Sequence, residues 1–314
     1  MTVEGALPAT RGKRIALVLG AGGARGLAHI GVIEALEARG FEIAAIAGSS
    51  MGALVGGIHA AGKLDAYRDW ADRLERNDVL RLLDVTFGAS GLIRGDRVIA
   101  TLRDLVGEHR IEGLPIPYVA VATDLATQRE VWFQHGPLFD AIRASIAIPM
   151  VFTPHEVNGR ELVDGGLLAP LPLAATRGFH CDYVVAVDLN ARSPRAPTSE
   201  PVPLREAEMF NDDAPAAPSG WKTRVASWFA APPPSVGATP AAPAGGIASL
   251  LDLMSRSMDT MHSQMTRLQV AQDPPDLVIR VPRDAATFYE FWRAKELRER
   301  GREWAEDALD AWVQ

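Results

Sequence analysis

The chain has 314 residues, 47% of them hydrophobic and 23% charged, with a formal net charge of −7. This is the composition of an ordinary globular protein, and with Lys and Arg interleaved among acids it excludes a general attraction to nucleic acid or anionic lipid. A single cysteine, Cys181, excludes an internal disulfide and suits a reducing compartment. The N-terminal MTVEGALPATRGKR has no apolar centre, so no signal peptide is expected, and no apolar run approaches the roughly 20 residues of a membrane span. A cytoplasmic protein is expected, at most peripheral at a membrane, and its oligomeric state is not legible from sequence.

In chain order, a tail of residues 1–13 precedes RIALVL (14–19), a short apolar run that predicts a buried strand. Gly20-Ala21-Gly22-Gly23-Ala24-Arg25-Gly26 follows, then LAHIGVIEALEARG, with helical apolar spacing and Gly40 as its stop. IAAIA (43–47) predicts the next strand, ending in Gly48-Ser49-Ser50-Met51-Gly52 and a small-residue helix. Two β-α units in succession predict an α/β fold, a mainly parallel central sheet sandwiched by helices. Leu64–Arg76 and Asp96–Val106 read as amphipathic helices. Tyr118–Thr123 and Glu130–Phe133 read as strands around a turn, and Leu138–Ile148 as a helix stopped by Pro149. Glu161–Val163 is a short strand delivering Asp164-Gly165-Gly166. Pro170–Arg177 could be a helix, and Tyr183–Leu189 a buried strand. Residues 191–246 are rich in Pro, Ala and Ser and are expected to be a flexible insertion, because the C-terminal part is too small for a core of its own. Ile247–Val270 predicts a helix, Leu277–Val281 a last strand, and Ala285–Trp312 a charged helical end, so that 14–314 form one domain around the insertion.

Strand, sharp turn and helix is the context in which Gly-x-Ser-x-Gly can be catalytic. The glycines Gly48 and Gly52 frame Ser50, not Ser49, and allow a strained turn that lifts the hydroxyl toward the positive end of a helix. The loop 20–26 has several readings. A dinucleotide turn would need glycine where Arg25 stands, and a P-loop would need a following Lys-Ser or Lys-Thr. A plain tight β-α turn remains open, as does an oxyanion hole built from amides of Gly22 and Gly23, with Arg25 fixing the loop or adding positive field. Parallel neighbouring strands would bring this loop and Ser50 to one sheet edge. One strand before the serine is too early for an α/β-hydrolase. The histidines give no obvious base: His29, His59 and His262 fall within helices, and His109, His135, His155 and His180 in turn-like contexts. Asp164, at a strand end before two glycines, is the candidate base, although Asp-Gly alone is commonly just a turn.

GAGGARG, GSSMG and DGG, in that order, resemble the patatin-like phospholipase family, with further likeness in GLAHIGVIEAL, VATDLATQREV, IRASIAIPMVF and VVAVDLN. The likeness is dense over residues 14–190 and weak over 247–312. It implies the patatin-like three-layer α/β/α fold and a lipid acyl hydrolase with a Ser–Asp dyad, no metal and no cofactor. It also implies Ser50 as nucleophile, Asp164 as base, residues 22–25 (Gly22, Gly23, Ala24, Arg25) as oxyanion hole, and Gly20, Gly26, Gly48, Gly52, Gly165 and Gly166 as motif glycines. The substrate would be a phospholipid or related acyl ester. The alternatives are a soluble esterase or thioesterase on other acyl esters, and a low-turnover regulatory binding protein of the same fold. The helices at 64–83 and 98–106 could wall an acyl chain or simply pack the core. Within the insertion, WKTRVASWFA (221–230) combines two Trp, a Phe and two basic residues, a composition suited to a membrane interface or to a lid packed on the core.

Overall fold

In the computed structural model of the chain, the described residues are 12–82, 93–192 and 247–313. Most of the expected insertion, with 221–230, lies outside them. The chain divides into two compact units, Met1–Arg192 with Met258–Gln314, and Ser193–Ser257. Of the second unit only 247–257 are described, the opening of a helix.

The first unit is built on one sheet of β1 (Arg14–Leu19), β2 (Glu42–Ser49), β3 (Tyr118–Asp124), β4 (Arg129–Phe133), β5 (His155–Val157), β6 (Arg160–Asp164), β7 (Tyr183–Ala191) and β8 (Leu277–Pro282). Its order is β5-β6-β3-β2-β1-β7-β8, with β4 paired to β3. The five strands from β3 to β8 in that order run parallel, whereas β4, β5 and β6 pair antiparallel at the other side. The sheet is thus mixed, mostly parallel and flanked by helices, as the alternation of elements predicts.

The central strands are apolar over most of their length because both faces are covered. On β1, Ile15, Leu17 and Leu19 join one core cluster, and Val18 joins another with Leu171, Leu173 and Ala186 on the opposite face. The first face carries α1 (Ala28–Ala38), α2 (Met51–Ala60) and the C-terminal α8 (Ala294–Val313). Glu34 of α1 meets Arg298 and Arg302 of α8 at 3.5 and 2.6 Å, tying the chain's end to its beginning. The remaining helices are α3 (Leu64–Ala71), α4 (Arg76–Leu82), α5 (Asp96–Val106), α6 (Leu138–Ser145) and α7 (Ile247–Gln272).

Several expectations change. The helix read over Leu64–Arg76 ends at Ala71, where i→i−3 bonds from Arg73 N to Trp70 O (3.2 Å) and Leu74 N to Ala71 O (3.1 Å) tighten the turn, and α4 starts afresh at Arg76. Leu138–Ile148 closes early, at Ser145. Pro170–Arg177 contains only a 3-10 turn, Leu173–Thr176, and Ala285–Trp312 holds a 3-10 turn, Phe291–Arg293, followed by the helix from Ala294 on. His155, expected in a turn, opens strand β5. Among the described residues, no helix is long and apolar enough to cross a membrane.

Candidate active site

Ser50 sits between β2 and α2, at φ 55° and ψ −123°. A positive φ on a residue with a Cβ costs about 1–3 kcal/mol and persists only where the surroundings enforce it. They do so here. A side chain on Gly48 would run into the backbone of Gly52, and one on Gly52 into that of Leu19, so strand and helix can meet this sharply only without them. The Ser50 amide donates to Ser145 Oγ at 2.9 Å, and that hydroxyl donates to Val121 O at 2.6 Å. Ser145 therefore clamps the turn to β3, a role no local sequence signal marks.

β3 brings Asp164 to Ser50. Ser49 of β2 pairs with Val121, and Ala122 on the next position of β3 pairs with Asp164 of β6. The outcome is a hydrogen bond from Ser50 Oγ to Asp164 Oδ2 at 2.6 Å, with both residues buried. Asp164 Oδ1 accepts from the Gly166 amide at 2.7 Å, the two-residue turn that the Asp-Gly-Gly spacing allows. Burial raises the Asp164 carboxyl to about 7, against the opposing effect of the bonds from Ser50 and Gly166. A carboxylate poised there is a far better base than an exposed one.

The glycine loop reaches the same sheet edge because β1 and β2 are parallel neighbours. It is held at many points. Gly20 N donates to Val187 O (3.1 Å) and Ala21 N to Pro170 O (2.8 Å), while Asn190 Nδ2 donates to Ala21 O (2.9 Å). The Ala24 amide, expected among the oxyanion donors, is instead committed to Phe288 O at 2.9 Å. Gly23 has φ +56°, and a side chain there would press on Phe288. Among the described residues the Gly22 and Gly23 amides have no hydrogen-bond partner, and Gly23 borders the same apolar cavity as Ser50. The Arg25 side chain turns away from that cavity and braces the loop. It donates from Nε to Gly22 O (3.1 Å), from Nη1 to Arg283 O (2.8 Å) and from Nη2 to Asn190 Oδ1 (3.3 Å) and Asp259 Oδ1 (2.7 Å).

Asp259 belongs to a polar stripe on α7 that the sequence reading did not single out. Asp259, His262, Thr266 and Gln269 recur at helical spacing, and the last three are not on the outside. Gln269 Oε1 accepts from Leu171 N (3.1 Å) and its Nε2 donates to Leu168 O (3.2 Å), just past the Asp164 turn. His262 is buried, and a Cβ placed on Gly166 would stand 3.1 Å from its Nε2 and 2.9 Å from Asp164 Oδ1. Burial lowers His262 to about 4, so it is a neutral neighbour of the carboxylate at ordinary pH. His29 and His59 are lowered to about 4 by the same cause, and His29 Nε2 lies 2.9 Å from Gly20 O. The stripe could have been found by asking why a helix otherwise rich in Met and Leu keeps four polar groups on one face. Arg25 is 3% and Asp259 26% exposed at the side chain, so the pair is largely desolvated. Removing one partner of such a pair typically costs about 3–5 kcal/mol. Arg25→Met is therefore expected to lower Tm by several degrees, more than Asp259→Asn, which keeps an acceptor. Calorimetric melting of both proteins checks the order.

Among the described residues no group of three or more His, Cys, Asp or Glu could hold a metal ion. The site brings together a buried hydroxyl and a buried carboxyl, beside a largely apolar cavity that Gly23 also borders.

Comparison with known proteins identifies the family of the chain. The family model described as patatin-like phospholipase matches residues 17–177. An uncharacterized NTE family protein of Mycobacterium bovis is 44% identical over 334 aligned residues, covering 95% of this chain and 92% of that one. Lysophospholipase NTE1 of Saccharomyces cerevisiae is 32% identical over 192 residues, 59% of this chain and 11% of the much longer yeast protein. The crystal structure of VipD from Legionella pneumophila aligns at TM-score 0.41 and 13% identity, over 96% of this chain and 67% of that one. The match to the family model and the mycobacterial relative place the chain in the patatin-like phospholipase family, a family of lipid hydrolases.

Proposed function

We propose that the chain is a serine acyl hydrolase that cleaves carboxylic esters of phospholipid or related lipids through the Ser50–Asp164 pair and an acyl-enzyme. The observation that carries the reading is the 2.6 Å bond between the Ser50 hydroxyl and a buried Asp164 carboxylate whose basicity burial has raised. As Ser50 Oγ attacks the ester carbonyl, its proton passes to Asp164 Oδ2. The carbonyl oxygen takes the negative charge and faces the Gly22 and Gly23 amides, each worth roughly 3–4 kcal/mol at such a site. Collapse of the tetrahedral adduct expels the alcohol, which leaves with the proton from Asp164. Water then repeats the cycle, giving its proton to Asp164 and releasing the fatty acid from Ser50. No histidine is needed, because Asp164 is itself basic enough near neutrality.

The yeast relative is by name a lysophospholipase, and the cavity beside Ser50 is lined mainly by aliphatic and aromatic side chains, with no charged residue among them. Both favour a lipid acyl chain over a polar acyl group. Labelling of Ser50 by a fluorophosphonate tests the nucleophile and separates an enzyme from a binding protein of the same fold. Phospholipid, lysophospholipid, triglyceride and acyl-CoA substrates then separate a lipase from a soluble esterase or thioesterase. Contact with the membrane surface through 221–230 rests on composition: Trp favours the headgroup level, and Lys222 and Arg224 suit anionic lipid. Replacing Trp221, Trp228 and Phe229 by Ser is expected to reduce co-sedimentation with anionic vesicles while sparing hydrolysis of a short soluble ester. Unchanged sedimentation would refute docking, and loss of both properties would favour a packed lid.

A further inference from the structure

Two hollows meet at the junction of α3, α4 and α5. One is the cavity at Ser50, of about 110 Å³, walled by side chains such as Leu54, Tyr67, Val79, Leu102 and Ile148. The other is an open cleft of about 880 Å³ on the outer side of the same helices, lined by Arg73, Arg81 and Arg97 together with Asp69, Asp78 and Asp104. Trp70, Leu74 and Leu82 border both. Among the described residues they form the layer shared by the acyl pocket and the charged cleft. Leu74 stands on the tightened turn that splits the expected 64–76 helix, and Leu82 ends a helix of seven residues. The wall therefore rests on short elements outside the sheet.

The volume sets what fits behind that wall. A 150 Å³ apolar cavity accepts benzene, six carbons, so 110 Å³ takes about four or five. A fatty acyl chain of twelve or more carbons cannot be held there. Its end must displace the layer and emerge among arginines and carboxylates in water, where methylenes gain little. One methylene inside or outside an apolar pocket changes specificity about 10- to 200-fold.

The geometry points to Trp70, Leu74 and Leu82 as the residues that set acyl-chain length, ending the pocket at about five carbons and admitting longer chains only by giving way into the cleft. This inference rests on the reading of Ser50 as the acylated residue. The p-nitrophenyl esters of acetate, butyrate, octanoate and dodecanoate test it. For the wild type, kcat/KM is expected to peak at butyrate and to fall at least tenfold by dodecanoate. Leu74→Ala and Leu82→Ala are expected to raise the dodecanoate-to-butyrate ratio at least tenfold, and Trp70→Ala further. Leu82 is only half-buried, so its variant keeps the test alive if Trp70→Ala does not fold. A wild type that prefers dodecanoate, or variants with an unchanged ratio, would overturn the inference. Cleavage of none of the four esters, with no fluorophosphonate on Ser50, would instead sink the dyad. In that case calorimetric binding still decides the wall: a tenfold gain in dodecanoate over octanoate affinity in Leu82→Ala supports it, and no gain overturns it.

Discussion

Ser50→Ala is expected to abolish ester hydrolysis while leaving the melting temperature close to that of the wild type. Loss of a serine nucleophile that works as a unit with its base typically lowers kcat by about 10⁶-fold, leaving only the background that oxyanion donors and binding provide. The drop should approach the detection limit because no second hydroxyl can substitute. Ser145 Oγ is already engaged with Ser50 N and Val121 O. Ser49 is the informative control. It precedes Ser50, is fully buried, and its Oγ has no hydrogen-bond partner among the described residues. Ser49→Ala removes an unsatisfied hydroxyl, so the protein should retain most activity and lose little stability. Equal rates for Ser50→Ala and wild type on a short ester would remove Ser50 from the mechanism.

The parts of this site legible in the sequence are those encoded by adjacent residues. The apolar run before Gly48, the glycine frame of Ser50 and the Asp164-Gly165-Gly166 turn each carry their geometry in a few neighbouring positions, and the parallel pairing of β1 with β2 follows from two successive β-α units. The parts that were not legible depend on contacts between distant segments. Arg25 and Asp259 are 234 positions apart, and Ser50 and Ser145 are 95 apart. Nothing near Ala24 signals that Phe288 will occupy its amide. The break in the 64–76 helix also escaped a periodicity reading. Apolar spacing continues through it in Trp70, Leu74 and Val79, since those side chains line one cavity from two helices instead of one. Spacing also could not reveal that His262 lies against the aspartate's own turn.

Asp164→Asn should match Ser50→Ala in lost activity and differ from it in stability, in a direction set by pH. For the wild type, kcat/KM should rise with pH through an apparent value near 7 and level off above it, because Asp164 must be ionised to take the serine proton. The same raised pKa carries a stability penalty. The carboxyl is near its ordinary 3.9 when unfolded and about 7 when folded, so between these values the native state binds the extra proton. Stability from that proton is complete below about pH 4 and is lost as pH rises through 7. Three pH units correspond to about 4 kcal/mol at full loss, taking 1.36 kcal/mol per unit. Asparagine is neutral throughout and keeps an acceptor for the Gly166 amide, so it escapes the penalty. The inactive variant should therefore melt higher than wild type at pH 8, with the gap closing toward pH 4. His29, His59 and His262, each lowered to about 4, act in the opposite sense. Their folded values lie below the unfolded one, so they destabilise the fold as pH falls from about 6.5 toward 4. They are present in both proteins and cancel in the difference. Urea titrations of the pair at pH 5 and pH 8 measure that difference directly. A variant less stable than wild type at pH 8 would mean that the folded protein holds the Asp164 charge without penalty, and the dyad would then need another source for its base.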